Sequence, residues 1–362
     1  MKGILRFLLS FCATGGWACY GQNICHVSSK IDDVLPSAQD LSTRYSGFQF
    51  AIEEYNKGAK RQANFIIIAP ETKKDQVPEL IQTAKSKDCA VIVGLITSKD
   101  ALLAGPFLKQ NEIPGFSSTA MAPDAQTFFP YLLSATTSSE SWAKALLGDL
   151  RQHERQQIII FRKASDFFSQ VTVKSLEQEA RNLDMVKQVQ TVEVSSPDEM
   201  RTTLDRFKFK NVTFVFTTYP MASVEGISAL SSVTWGRESK IYGNPSWMEQ
   251  QTFLHFRPIM EKVPSIFLVA PWFPEDNTKE NLDFQKKYSE RFHAFPDHDT
   301  AYNYDVTKII LHCFEKNLRP VDCFKSPLHY DGVTGTFDFD GRSSHPLRSE
   351  RIKKANYSAG RL

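Results

Sequence analysis

Two serine-bearing stretches carry the polar groups best suited to holding a small molecule: GLITSKD at 94–100 and GFSSTAMAP at 115–123. In the first, Ser98 stands where the apolar run AVIV (90–93) gives way to the helix-forming KDALLAG. Ser98 is expected to cap that helix, with Asp100 in its first turn. A helix start that leaves the carboxyl edge of a parallel sheet presents free N–H groups and partial positive charge to a ligand. Catalytic patterns are missing. GFSS (115–118) and GNPS (243–246) both fail the GxSxG nucleophile elbow, and no GxxxxGK[ST], GxGxxG or HExxH occurs. His293, Asp297, His298 and Asp299 cluster in HAFPDHD, but a polar loop containing proline is expected to face water rather than a metal. The chain is therefore read as a non-enzyme, with no cofactor and no metal.

The elements that must position these serines alternate with little interruption. Strands are expected at 63–69, 90–94, 115–117, 131–135, 157–161, 186–192, 212–217, 240–243 and 265–270. Helices are expected at 44–57, 77–86, 98–110, 140–152, 167–182, 197–206, 222–231 and 247–255. Such βαβα alternation with short connectors specifies doubly wound parallel sheet. There are too many strands for one sheet, so two lobes are expected. Helices at 279–292 and 300–317 follow, and GVTGTFDFDGR (332–342) closes the chain with a short strand and turn.

At 362 residues the chain has room for two cores, and its 43 Lys and Arg against 41 Asp and Glu give no basic stripe for nucleic acid. MKGILRFLLSFCATGGWACYGQ places Lys2 and Arg6 before a short apolar run and small residues, the layout of an export signal over 1–21. Lipidation at Cys19 is disfavoured, since Gly16-Trp17-Ala18 lacks the usual apolar residue. Cys25, Cys89, Cys313 and Cys323 then form an even set suited to an oxidising compartment. The pairs Cys25–Cys89 and Cys313–Cys323 are favoured. Cys25 and Cys89 border strands of one sheet, and Cys313 and Cys323 bracket a helix end; the other two connectivities stay open.

Several stretches together resemble the type I periplasmic binding proteins, in particular the branched-chain amino acid branch. SGFQFAIEEYNKG (46–58) is similar to that family's first helix, and 90–123 to its strand, serine-capped helix and small-residue loop. FRKASDFFSQVTVKSLEQEA (161–180), AYNYDVTKIILHCFEK (301–316) and GVTGTFDFDGR resemble later segments, the last being the most specific. The resemblance implies two Rossmann-like α/β lobes joined by a three-crossover hinge, with residues 22–137 plus 272–335 in one and 138–271 plus 336–362 in the other. It implies a periplasmic monomer that captures a small ligand in the cleft and delivers it to an inner-membrane ABC permease. A sensor or envelope regulator of the same fold is the alternative. Ser98, Ser117, Ser118, Thr119 and Ala120 would hold a carboxylate, with Met121 where the family has Thr and Phe167 where it has Tyr. Tyr219, Ser246 and Trp247 complete the implied site, with Trp272 close to the hinge. No acid stands at 245–246 to meet an ammonium. Either Glu225, Glu249 or Asp305 substitutes, or the ligand is an amide, carboxylate or aromatic compound rather than an α-amino acid.

Overall fold

Apolar strands flanked by amphipathic helices assemble here into two separate sheets. The computed structural model describes residues 22–27, 38–68, 77–153, 157–207, 210–217, 239–244, 247 and 265–354. The first sheet uses β1 (Asn23–Val27), β2 (Asn64–Ile68), β3 (Cys89–Val93), β4 (Gly115–Ser117) and β5 (Leu132–Ser134), in the order β2-β1-β3-β4-β5, all parallel. The second uses β6 (Gln157–Arg162), β7 (Val189–Glu193), β8 (Val212–Phe216), β9 (Lys240–Gly243) and β10 (Ile266–Ala270). Its order is β13-β10-β9-β8-β6-β7, where β13 (Arg351–Lys354) pairs antiparallel with β10.

Alternate residues of each strand face opposite layers, which is why these strands are apolar throughout. In the first lobe, Ile24, Val91 and Val93 pack with α1 (Ala38–Asn56), while Cys25, Val27 and Ile92 pack with α2 (Val77–Ser86) and α3 (Ser98–Asn111). In the second, Ile158, Ile160 and Val215 face α4 (Ser139–His153) and α5 (Phe167–Asn182), and Ile159, Phe214 and Phe216 face α6 (Pro197–Asp205).

Beyond the second sheet the chain returns to the first lobe as α7 (Lys279–Phe292), α8 (His298–Glu315), α9 (Pro320–Phe324) and the hairpin β11 (Leu328–Gly332) and β12 (Gly335–Phe339). Gly47 lets α1 and α8 meet closely: a Cβ there would lie 2.3 Å from the Thr300 carbonyl oxygen. The hairpin is bolted to α8 by buried Asp305. Its carboxylate accepts from the Val333 N–H at 2.9 Å, the Thr334 N–H at 2.8 Å and the Thr334 hydroxyl at 2.6 Å. Gly332 is required beside it, since a Cβ would sit 2.6 Å from that carboxyl group. Burial pushes the Asp305 carboxyl up to about 6 despite these donors.

The segment 336–362 is expected in the second lobe on sequence, but Phe337 and Phe339 within it lie in the first lobe's core. Of this tail, β13 is the part that pairs with the second sheet. Its pattern, RIKK, is that of a charged edge strand and carries no apolar alternation. The expected signal at 1–21 and the helices at 222–231 and 247–255 fall outside the described residues, apart from Trp247.

Two disulfides form as favoured, Cys25–Cys89 joining β1 to β3 and Cys313–Cys323 joining α8 to α9. Their sequence separations are 64 and 10. Loop-closure entropy then assigns about 4 kcal/mol to the first and about 3 kcal/mol to the second. Paired Cys→Ala variants unfolded in urea should rank in that order.

Candidate functional site

The first sheet reverses its winding between β1 and β3, the place where open α/β sheets leave a crevice at their carboxyl edge. The connection from β3 runs 94–97 into α3. Its cap is Thr97, not Ser98. Thr97 is extended (φ −88°, ψ 152°) and its Oγ1 accepts from the Asp100 N–H at 3.1 Å, which makes Ser98 the first helical residue. Both residues carry a hydroxyl, and the extended exit from the strand selects the earlier one.

The loop after β4 brings the expected residues Ser117, Ser118, Thr119, Ala120 and Met121 beside this helix start, in a closed set of hydrogen bonds. The Met121 N–H donates to Ser98 Oγ at 3.0 Å and the Ala120 N–H to Ser117 Oγ at 3.0 Å. The Ser117 hydroxyl donates to the Leu95 carbonyl and Thr119 Oγ1 to that of Ile96. The Ser118 hydroxyl donates to Asn303 Oδ1 on α8. The Met121 side chain points away from this polar set. It is buried with Trp142 of α4 and the core of the second lobe.

Across the cleft, Phe167 opens α5 and is partly buried. Asp166 caps that helix, its Oδ1 accepting from the N–H groups of Phe168 at 2.9 Å and Ser169 at 3.2 Å. The helices that start at Ser98 and Phe167 come into contact, so the two lobes meet through this pair of helices. Trp247, expected to line the cleft, is buried among residues of the second lobe, 5.5 Å from Phe216 between ring centroids. Tyr219, Ser246, Glu225 and Glu249 lie outside the described residues. Asp305 is committed to the β11–β12 hairpin and does not face an ammonium.

Three chain crossings link the lobes, at 135–138, 271–278 and 340–350, and sequence reasoning missed the side chains that bind them together. Arg348 donates to the carbonyls of Ala135 and Thr334, and its guanidinium lies 4.1 Å from the Phe337 ring centroid. Arg351 donates to the Pro271 carbonyl at 3.0 Å and pairs with Asp276. Buried His345 sets Nδ1 2.9 Å from the Thr136 carbonyl oxygen and Nε2 3.2 Å from that of Ala122. A neutral imidazole donates to only one of them, and burial holds this ring below the usual histidine range. Thr137 donates to Glu350, whose carboxyl is raised to about 7, first by burial and in spite of the Thr137 hydroxyl, Arg348 and Arg351.

A raised carboxyl holds its proton more tightly in the folded state. The stability Glu350 contributes is thus fully present below its ordinary value of 4.5 and is lost as pH rises through about 7. Relative to the parent, Glu350→Gln should remove a decline on the order of 2 kcal/mol between pH 4.5 and pH 8, read from urea midpoints at each pH.

Among the described residues, no group of three or more His, Cys, Asp or Glu could hold a metal. The sequence profile described as periplasmic binding protein matches residues 36–355. No curated protein sequence matches. Solved structures do. A Desulfitobacterium hafniense ABC transporter substrate-binding protein in complex with Leu superposes with TM-score 0.72 at 15% identity, covering 92% of this chain and 97% of that one. The branched-chain amino acid binding protein LivJ of Streptococcus pneumoniae, in complex with isoleucine, gives 0.75 at 14%, covering 92% and 96%. A solute-binding protein from R. palustris in complex with benzoate gives 0.73 at 11%, covering 93% of each chain. At such identities the structural likeness establishes the fold alone, but the profile spans most of the sequence. The chain therefore belongs to the periplasmic binding protein family.

Proposed function

We propose that this protein is an exported solute-binding receptor that captures a small amphipathic ligand between its lobes and delivers it to an inner-membrane ABC permease. The observation that carries this reading is the pairing of two parallel-sheet lobes, tied by three crossings, with a polar helix start and loop at the carboxyl edge of the first. Ligand binding closes the lobes about the hinge, and the permease reads the closed form. The solved relatives named above hold Leu, isoleucine and benzoate, which supports an amino acid, amide or small carboxylate as the ligand class. The chain acts by binding and not by catalysis, as a periplasmic monomer released from its export signal. Among the described residues no helix is long and apolar enough to cross a membrane.

A second reading, a ligand sensor or regulator of the cell envelope, is favoured by one observation. The hydroxyls and N–H groups expected to hold a carboxylate are engaged with one another.

A thermal-shift screen of the purified protein against amino acids, amides and aromatic acids separates a ligand-binding role from an envelope regulator that needs no small ligand. Ligand at a thousand times its dissociation constant adds about 4 kcal/mol, a rise of several degrees in Tm. A shift confined to one chemical class supports the receptor. No shift with any compound, in a folded and ligand-free sample, supports the regulator.

A further inference from the structure

Three aromatic side chains at the start of α8 and on the second crossing hold polar atoms without a well-formed hydrogen bond among the described residues. Trp272, His298 and Tyr302 are 2%, 4% and 0% exposed, and among the described residues Trp272 Nε1, His298 Nε2 and the Tyr302 hydroxyl make no hydrogen bond of ordinary geometry, although the Arg348 guanidinium stands near enough to act on the phenol. Their rings form one triangle, with centroids 6.2 Å apart for Trp272–His298, 4.6 Å for His298–Tyr302 and 6.5 Å for Trp272–Tyr302. Buried polar atoms are nearly always paired in folded proteins, so three in one cluster demand a reason.

The cluster lies on the same edge of the first sheet as Ser98. Asn303, next to Tyr302, takes the Ser118 hydroxyl just beyond the end of β4. The far end of α8 is at the opposite edge, where Phe314 lines a cavity with Asn23 and Cys89, the first residues of β1 and β3.

The chemistry of the three atoms is mixed. Indole Nε1 can only donate. The Asp299 carboxylate stands 3.3 Å from His298 Nδ1 and draws a proton to that nitrogen, so the tautomer it selects offers Nε2 as an acceptor. The Tyr302 hydroxyl can do either. Arg348, whose guanidinium lies 5.5 Å from the Tyr302 ring centroid, already donates to the Ala135 and Thr334 carbonyls. A carboxylate wants donors alone and would meet the His298 lone pair. An ammonium wants acceptors alone and would meet the indole N–H.

The other wall repeats this preference. Asp100, buried in the first turn of α3, already sets negative charge at the helix's positive end, and the Ala120 and Met121 N–H groups are occupied. Ser98 Oγ accepts from Met121 and keeps one proton to give, enough for a neutral carbonyl.

Resting on the receptor reading, we infer that Trp272, His298 and Tyr302 form the specificity-determining wall of the cleft, and that the ligand meets it with an uncharged donor–acceptor group on an aromatic ring, an amide or a phenolic hydroxyl. Lobe opening admits the ligand to these atoms, and closure pairs them with it.

The test compares benzamide and phenol with benzoate and leucine, by thermal shift and calorimetric titration of the purified protein and of its Trp272→Phe and Tyr302→Phe variants. Benzamide or phenol should bind at least tenfold more tightly than either carboxylate, and each variant should weaken that binding about tenfold. The ligand-free Tm of Tyr302→Phe should equal or exceed the parent's, because it removes a hydroxyl without a well-formed hydrogen bond and opens no cavity, whereas a purely structural role for that hydroxyl would lower it. Preferred binding of benzoate or leucine, unaffected by Tyr302→Phe, would overturn this inference and leave the receptor reading standing. Binding of none of the four would overturn the inference, and a silent wider screen would overturn the receptor reading with it.

Discussion

The structure depends on one constraint: a hinge must hold two lobes together while leaving them free to rotate. Three chain crossings do this only if they move as a unit. Arg348 joins the third crossing to the first through the Ala135 carbonyl, and Arg351 joins it to the second through Pro271 and Asp276. The planar guanidinium suits this task because its fixed fork of donors reaches several carbonyls at once. Asp305 performs the matching role inside the first lobe, fastening the β11–β12 hairpin to α8 just before the third crossing begins. These contacts brace the chain up to the short crossings about which the proposed closure would turn.

The same strand-end geometry that makes a cleft also fixes its electrostatics. A helix start at a sheet's carboxyl edge attracts anions, and here the protein answers that attraction with its own Asp100 and its own serines. Polarity at this edge is consequently high while donors available to a charged ligand are few. The indole, imidazole and phenol atoms that lack hydrogen-bond partners among the described residues lie along the same edge.

Much of this was legible in the sequence because it is local. AVIV followed by a capped helix, QIIIF before FFSQVTVKSL, and the spacing of GVTGTFDFDG each declare an element within a dozen residues. What escaped detection is long-range. Ser98 meets Met121 and Ser118 meets Asn303 across 23 and 185 residues, and no periodicity encodes such partners. Thr97 and Ser98 are chemically equivalent as caps, so only the backbone path from β3 separates them. Trp247 follows a strand end in a manner equally suited to cleft or core, and the close approach that Gly243 allows turns its ring inward. The alternation in TFDF promises a buried phenylalanine face but does not say which lobe buries it.

Lobe closure on ligand is the central claim, and small-angle X-ray scattering tests it most directly. Profiles of the purified protein should be recorded alone and saturated with the compound that stabilises it most. The account expects the radius of gyration and the maximum dimension to fall together on binding, with no change in mass. Identical profiles with the ligand demonstrably bound would contradict it.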